Sequence, residues 1–239
     1  MQYNASADEQ TLIDFWDRTF ARSLADRLPA DQQDPGSWKD HAPSEELFLA
    51  ASALGRKKKV LDYGCGSAWA AVIAAKNGCR DVTAVDPAEG AVASALSSIS
   101  LYGVGEQVHA FRISPDWLST VPDSVYDGII CSNVLDVVPP DTAQEIIRHT
   151  ARIAAEDADV FIGLNYYLSP EAAQSRHLSL SDGNRLYMDG VLRLVSRTDE
   201  EWLSLFAPCF RVESLRCFAW SGESEARRRL FHLRKKTDP

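Results

Sequence analysis

Between residues 58 and 164 the chain alternates short, mainly apolar runs with longer stretches in which apolar residues recur every three to four positions. The runs 58–62, 81–86, 107–113, 126–132 and 158–164 read as strands, the first of them buried. The stretches 67–77, 88–101 and 140–155 read as helices, the last opened by Pro139-Pro140-Asp141, because proline is tolerated in a first helical turn. Only 116–121 separates the third and fourth strands, enough for a single-turn helix. This alternation predicts parallel strands joined by helical crossovers. Ahead of it, Leu12, Phe15, Trp16, Phe20 (or Thr19), Leu24 and Leu28 fall at near-helical spacing and predict an amphipathic helix over 8–28, then a loop from Pro29 to Pro35. Ser44 is placed to cap a second helix that ends with Leu54 before Gly55. Lys57-Lys58-Lys59 reads as a solvated approach to the first strand. Beyond Asn165 the alternation stops. A polar stretch to Ser181 precedes a short hairpin, Arg185 to Val195, around Asp189-Gly190. Thr198 caps a helix from Asp199 to Phe206, and two strand-like runs, Phe210 to Trp220 and Ala226 to Lys235, close the chain.

The chemistry concentrates where the first strand ends. Val60-Leu61-Asp62-Tyr63-Gly64-Cys65-Gly66 carries an apolar run to a carboxylate and then into a Gly-x-Gly turn with a small-residue helix behind it. Glycines let the backbone pass close to a ligand, and the helix start directs N–H groups and a partial positive charge at the same spot. The second strand ends in Asp86, an acid able to accept from a ribose diol. A nicotinamide site would want a third glycine where Trp69 stands. Asp62, two residues before Gly64, would repel a diphosphate but suits an ammonium group. The expected ligand therefore carries a ribose and a positive charge.

These two segments, with Tyr126-Asp127-Gly128-Ile129-Ile130-Cys131-Ser132-Asn133-Val134-Leu135-Asp136-Val137-Val138-Pro139, resemble the motifs of the class I S-adenosylmethionine-dependent methyltransferases, in order over roughly 57–165. One departure is Ser67-Ala68, small residues where the family often has a further glycine. The resemblance implies an α/β fold: a Rossmann-like, seven-stranded, mostly parallel sheet flanked by helices, with the last two strands as an antiparallel hairpin. It implies S-adenosyl-L-methionine as cofactor, an N-terminal helical segment (1–56) covering the cofactor site, and a methyltransferase domain (57–239) whose 166–197 insertion lies on the substrate side. Carried over residue by residue, Asp62 holds the methionine ammonium and Asp86 the ribose hydroxyls, with Gly64, Cys65, Gly66 and Pro87 around them. Ser114 or Asp116 meets adenine, and Asn133 lies beside the sulfonium. Asp116 is equally suited to capping the short helix after it.

The acceptor is less legible. Asn133-Val134-Leu135-Asp136 lacks the Asn/Asp-Pro-Pro-aromatic signature of the family's base-amino and glutamine methylating enzymes, which argues against those acceptors. Asp136 is a candidate general base, with surface or loop-capping duty as the alternative. His177, in the insertion, is the one histidine worth testing for acceptor chemistry. His41, His109, His149 and His232 show no metal-ligand spacing. Trp16 and Trp38 belong to the segment expected over the cofactor, although core packing accounts for Trp16 as well. Arg227-Arg228-Arg229 and Arg234-Lys235-Lys236 flank an apolar tetrapeptide; this reads as a nucleic-acid patch or as an edge-proximal strand whose charges discourage aggregation.

A formal charge of −9 disfavours general affinity for nucleic acid or anionic membrane. Five cysteines without C-x-x-C pairing suit a reducing compartment and offer no zinc motif. No stretch approaches the ~20 apolar residues of a membrane span, so a cytoplasmic location is expected. A small-molecule acceptor (or a protein side chain) fits this balance. The competing expectations are an RNA methyltransferase, a non-catalytic S-adenosylmethionine-binding module and a nicotinamide-dependent oxidoreductase.

Overall fold

The computed structural model describes residues 6–23 and 38–236. The predicted continuation of the first helix through Leu24 and Leu28, and the Pro29 to Pro35 loop, lie outside the described residues. Helix α1 (Ala7–Ser23) opens with a reciprocal cap, in which Glu9 N–H donates to Ser6 Oγ and Ser6 N–H to Glu9 Oε2. Helix α2 (Glu45–Leu54) starts at Ser44, whose hydroxyl accepts from Leu47 N–H as expected.

Then come β1 (Val60–Tyr63), α3 (Trp69–Lys76), β2 (Val82–Asp86), α4 (Glu89–Tyr102), β3 (Val108–Arg112), α5 (Trp117–Thr120), β4 (Tyr126–Ser132), α6 (Pro140–Ile153) and β5 (Ala154–Leu164). After these, α7 (Pro170–Ser175), β6 (Ser179–Ser181), β7 (Arg185–Met188) and β8 (Val191–Val195) lead to α8 (Asp199–Phe206), β9 (Phe210–Phe218) and β10 (Arg228–Lys235). Seven strands form one sheet in the order β3-β2-β1-β4-β5-β10-β9, parallel from β1 to β5, with β10 antiparallel to both neighbours. The Rossmann-like sheet and its C-terminal antiparallel hairpin are thus as expected.

Period-two alternation sends each strand's side chains to two cores. Val60 packs with α2, α3 and α4, while Leu61 and Tyr63 pack with α5, α6 and α8. Alanines 70, 71 and 74 let α3 lie close on the sheet, and Trp202 and Phe206 of α8 are fully buried on the other face. Burial of such large side chains contributes ~2–3 kcal/mol each.

Two strand readings needed adjustment. Strand β5 begins four residues before the expected 158, with a register irregularity against β4, because α6 stops at Ile153 rather than 155. The stretch from 166 to 181 contains α7 and β6, which have no amphipathic period long enough to be read; β6, β7 and β8 form a separate three-stranded sheet over a small core of Leu168, Ala173, Leu186 and Leu194.

The basic C-terminal strand lies next to the edge strand, and its cations are bonded within the fold. Strand β10 is interior, between β5 and β9. Arg228 pairs with Glu223 at 2.6 Å and lies 3.3 Å from the Trp220 ring centre. Arg229 donates to the carbonyls of Asn165 and Arg197 and to Asp199. Arg234 pairs with Asp159, and Lys235 donates to Ala154 O. These cations are spent inside the fold. Among the described residues no helix is long and apolar enough to cross a membrane, and no group of His, Cys, Asp and Glu could hold a metal.

Candidate active site

At the carboxyl ends of β1, β2 and β4, three chambers adjoin under α1. The middle one, about 230 Å³, is lined by Gly64, Cys65, Gly66, Ser67, Trp69, Asp86, Pro87 and Asn133. One neighbour, about 350 Å³, shares Gly64, Pro87 and Val134 with it and extends to Ile113, Pro115 and Asp116. The other, about 400 Å³, shares Asn133, Trp16 and Trp220 and reaches into the 166–197 segment. Leu12 of α1 lines all three.

The Gly-x-Gly turn has the backbone the sequence requires. Gly64 (φ +69°) and Gly66 (φ +52°) are left-handed, and a Cβ on Gly64 would stand 2.3 Å from Val134 Cγ2. Ala68, also left-handed at φ 57°, occupies the place where the resemblance allows a glycine. Asn133 turns the chain out of β4 at φ 58°, a conformation asparagine tolerates better than most residues, and its N–H donates to Gly163 O at 2.8 Å.

Asp86 lines the middle chamber, whereas Asp62 lines none of the three. Asp86 receives Gly66 N–H at 3.0 Å and Ala88 N–H at 2.9 Å, so it braces the glycine turn while one edge faces the middle chamber. Burial pushes its carboxyl up to about 6, against the lowering effect of those two hydrogen bonds. Asp62, 4% exposed, lies behind the chamber wall on the α3 side of the sheet and accepts from Ala71 N–H at 3.1 Å. Burial raises it to about 7, the Ala71 bond opposing and Asp86 adding repulsion. Among the described residues no Lys, Arg or His pairs with it. A buried carboxylate without a cation favours a cationic neighbour. This acid, a second acid beside a Cβ-free turn, and Asp116 in the next chamber together fit an ammonium, a ribose diol and an adenine amino group. The residues present therefore fit S-adenosylmethionine.

The remaining candidates sort themselves by position. Asp116 lines the second chamber; Ser114 does not, and its hydroxyl instead donates to Asp116 Oδ1 at 2.5 Å. Asp116 stands before α5 without a side-chain cap bond, so the capping alternative fails. Asp136 is not a surface group; its carboxylate caps the backbone where the chain leaves β5. It is 0% exposed, lines none of the three chambers, and accepts Asn165 N–H while its backbone carbonyl accepts Val195 N–H. It ties the end of β4 to the end of β5 and to β8. His177 is exposed and left-handed (φ 58°) at the end of α7, where its N–H donates to Gln174 O; it lines none of the chambers. Trp16 is half-buried and lines two chambers rather than packing in the core. Trp38, in a short 3-10 turn, lines none of them.

The resemblance implies an N-terminal cover, but which residues face the chambers shows in the sequence only as an amphipathic stripe. Glu9, Leu12, Ile13, Trp16 and Phe20 face the chambers at helical spacing, a pattern indistinguishable in sequence from a core face. Polar ties hold the helix down: Thr142 Oγ1 donates to Glu9 (2.5 Å), Tyr187 OH to Asp8 (2.8 Å) and Gly90 N–H to Asp17 (2.9 Å). Tyr166, Arg193 and Trp220 meet in the third chamber from three separate segments, and no local spacing announces them.

A family model described as "Methyltransferase domain" matches residues 18–205. The ubiquinone biosynthesis O-methyltransferase of Neisseria meningitidis serogroup C is 26% identical over 162 residues, 67% of this chain and 63% of that protein. An uncharacterized protein of Synechococcus is 32% identical over 114 residues, 45% of this chain and 27% of that one. The chain thus spans under two thirds of the length of these curated relatives. Among solved structures, the Burkholderia thailandensis 1,6-didemethyltoxoflavin-N1-methyltransferase, with bound 1,6-didemethyltoxoflavin and S-adenosylhomocysteine, superposes with TM-score 0.66 at 18% identity, covering 100% of this chain and 94% of that one. With its sheet order, its glycine turn and its two strand-end acids accounted for, the chain belongs to the class I S-adenosylmethionine-dependent methyltransferases.

Proposed function

We propose that the chain transfers a methyl group from S-adenosylmethionine to a small molecule seated in the third chamber. S-Adenosylmethionine, when bound, supplies an electrophilic methyl on a sulfonium. The observation that carries the reading is the order of the chambers: an acid-marked chamber ending at Asp116, a glycine turn braced by Asp86, and a chamber of aromatics beyond Asn133. In this reading Asp116 accepts from the adenine amino group, with Ser114 orienting it, and Asp86 accepts from the ribose diol. Asp62 holds the ammonium, Gly64, Cys65, Gly66 and Pro87 form the wall, and Asn133 separates cofactor from acceptor.

The protein's work is then alignment and exclusion of water. Leu12 spans all three chambers and Trp16 the junction of two, so α1 screens the path between them. Holding two reactants aligned and dry supplies a large share of the rate without a covalent step. Among the described residues no Asp, Glu or His lines the third chamber, which is consistent with a reaction driven by placement. The Burkholderia protein has bound 1,6-didemethyltoxoflavin and S-adenosylhomocysteine, and its fold covers this chain throughout; this supports a small acceptor. The pairing of Arg228, Arg229 and Arg234 with Glu223, Asp199 and Asp159 counts against an RNA substrate bound on this strand.

Incubation with methyl-labelled S-adenosylmethionine and fractionated cell extract tests the reading. Label is expected in a low-molecular-mass fraction. Label confined to RNA, or to no fraction, overturns it.

A further inference from the structure

Within a protein of net charge −9, the third chamber is lined by three arginines, Arg176, Arg193 and Arg228, and by no carboxylate. The second chamber is the reverse, with Glu9, Asp116 and Glu145 on its wall. The trough is therefore electrostatically polar along its length, acidic at one end and cationic at the other.

The three arginines are not equivalent. Arg228 is neutralised by Glu223 through both carboxylate oxygens and stacked on Trp220. Arg193, half-buried, has its guanidinium carbon 4.2 Å from the Phe15 ring centre and pairs with no acid among the described residues. Arg176 donates to Tyr166 OH at 2.5 Å and likewise pairs with no acid among them. Both arginines line the chamber without an acid partner among the described residues, Arg193 half-buried and Arg176 exposed. Leu168, Leu178, Leu192 and Leu194 line it with them and lower the local dielectric, which strengthens attraction for an anion. Guanidinium matches a carboxylate through paired N–H donors.

We infer that the acceptor is a small organic acid: a flat apolar body seated between Trp16, Tyr166 and Trp220, with a carboxylate read by Arg193 and Arg176. This inference rests on the third chamber being the acceptor site. It also places the acceptor's charge opposite in sign to the sulfonium, so the two reactants attract within one trough.

Calorimetry on the protein saturated with S-adenosylhomocysteine separates the two levels of the argument, using 2-naphthoate, its isosteric amide 2-naphthamide and 2-naphthylmethylamine. The acid is expected to bind at least about tenfold tighter than the amide, and the amine weakest. In Arg193→Gln combined with Arg176→Gln, the ratio of acid to amide should fall towards one while S-adenosylhomocysteine affinity stays within about twofold, which also reports that the fold is intact. Equal binding of acid and amide, a preference for the amine, or no saturation by the acid overturns the inference while leaving the methyltransferase reading untouched. Failure of S-adenosylhomocysteine itself to bind the unaltered protein overturns the underlying reading instead.

Discussion

Asp17 accepts the backbone N–H of Gly90 at 2.9 Å, and its own carbonyl oxygen lies 2.4 Å from where a Cβ on Gly90 would stand. The carboxylate sits at the start of α4, where the helix dipole favours it. Glycine is required there so that α1 can lie against the first turn of α4. Gly90→Ala should therefore act on the roof rather than on the sheet. Alanine raises the helix propensity of α4 by about 1 kcal/mol, which offsets part of the clash, whereas α1 must shift because the obstacle is backbone. Global stability is expected to change by less than about 1 kcal/mol, amide protection in α1 to fall, and S-adenosylhomocysteine to bind about tenfold more weakly. Hydrogen exchange and calorimetry on the same variant check it; unchanged protection in α1 with weakened binding would contradict the roof's role.

Cofactor affinity should depend on pH through Asp62 and Asp86. Both carboxyls are raised by burial, to about 7 and about 6. A raised carboxyl favours the protonated folded state, so the contribution of these two groups to the stability of the ligand-free protein is greatest at low pH and is lost as pH rises from about 4 to about 7. A ligand ammonium beside Asp62 favours its ionised form and expels the proton. Binding of S-adenosylhomocysteine should then tighten by up to about tenfold per pH unit below 7 and level off above it, with proton release below that point. Asp62→Asn should weaken binding at pH 8 and abolish this dependence near 7, yet raise the melting temperature of the ligand-free protein at pH 8 and not at pH 5. A pH-independent affinity in the unaltered protein would remove Asp62 from the ammonium site.

The strand-end acids and glycines were legible because each is forced by a local need: Gly64 and Gly66 by positive φ, Asp86 by the turn it braces. The sheet order followed from alternation and the family motifs. What sequence could not resolve was which side of an amphipathic element faces a cavity. Trp16 and a core tryptophan have the same spacing, and Asp136 and a catalytic acid stand at the same distance from a strand end. The third chamber is built from Tyr166, Arg193 and Trp220, whose proximity depends on how β8 and the β9–β10 connection return over β4 and β5. That is a tertiary fact without a local signature.

Asp136 offers a sharp contrast between charge and shape. Burial raises its carboxyl, and one of its oxygens has no hydrogen-bond partner while the other accepts Asn165 N–H. An amide keeps the shape and the acceptor. Asp136→Asn is therefore expected to cost under about 1 kcal/mol, whereas Asp136→Ala leaves the Asn165 N–H stranded and costs about 2–3 kcal/mol. Denaturant titration measures both. Turnover in Asp136→Asn should keep its pH profile, and loss of turnover with cofactor binding intact would return this residue to the catalytic machinery.

The adenine end can be read by exchanging one atom of the ligand. If Asp116 accepts from the exocyclic amino group, S-inosylhomocysteine, with an oxygen in that place, meets a carboxylate acceptor with an acceptor of its own. A polar site built for one partner rejects the mismatched analogue strongly, because both groups lose their hydrogen bond. The unaltered protein should thus prefer the adenosyl ligand by about tenfold or more. Asp116→Ala should lower adenosyl affinity about tenfold and leave the inosyl ligand unchanged, erasing the preference. Asp116→Asn can donate as well as accept and should improve the inosyl ligand specifically. Ser114→Ala removes only the 2.5 Å bond that orients Asp116, so its effect should stay within about threefold. Parallel losses for both ligands in Asp116→Ala would instead mean that the carboxylate shapes the loop before α5 and does not touch the base.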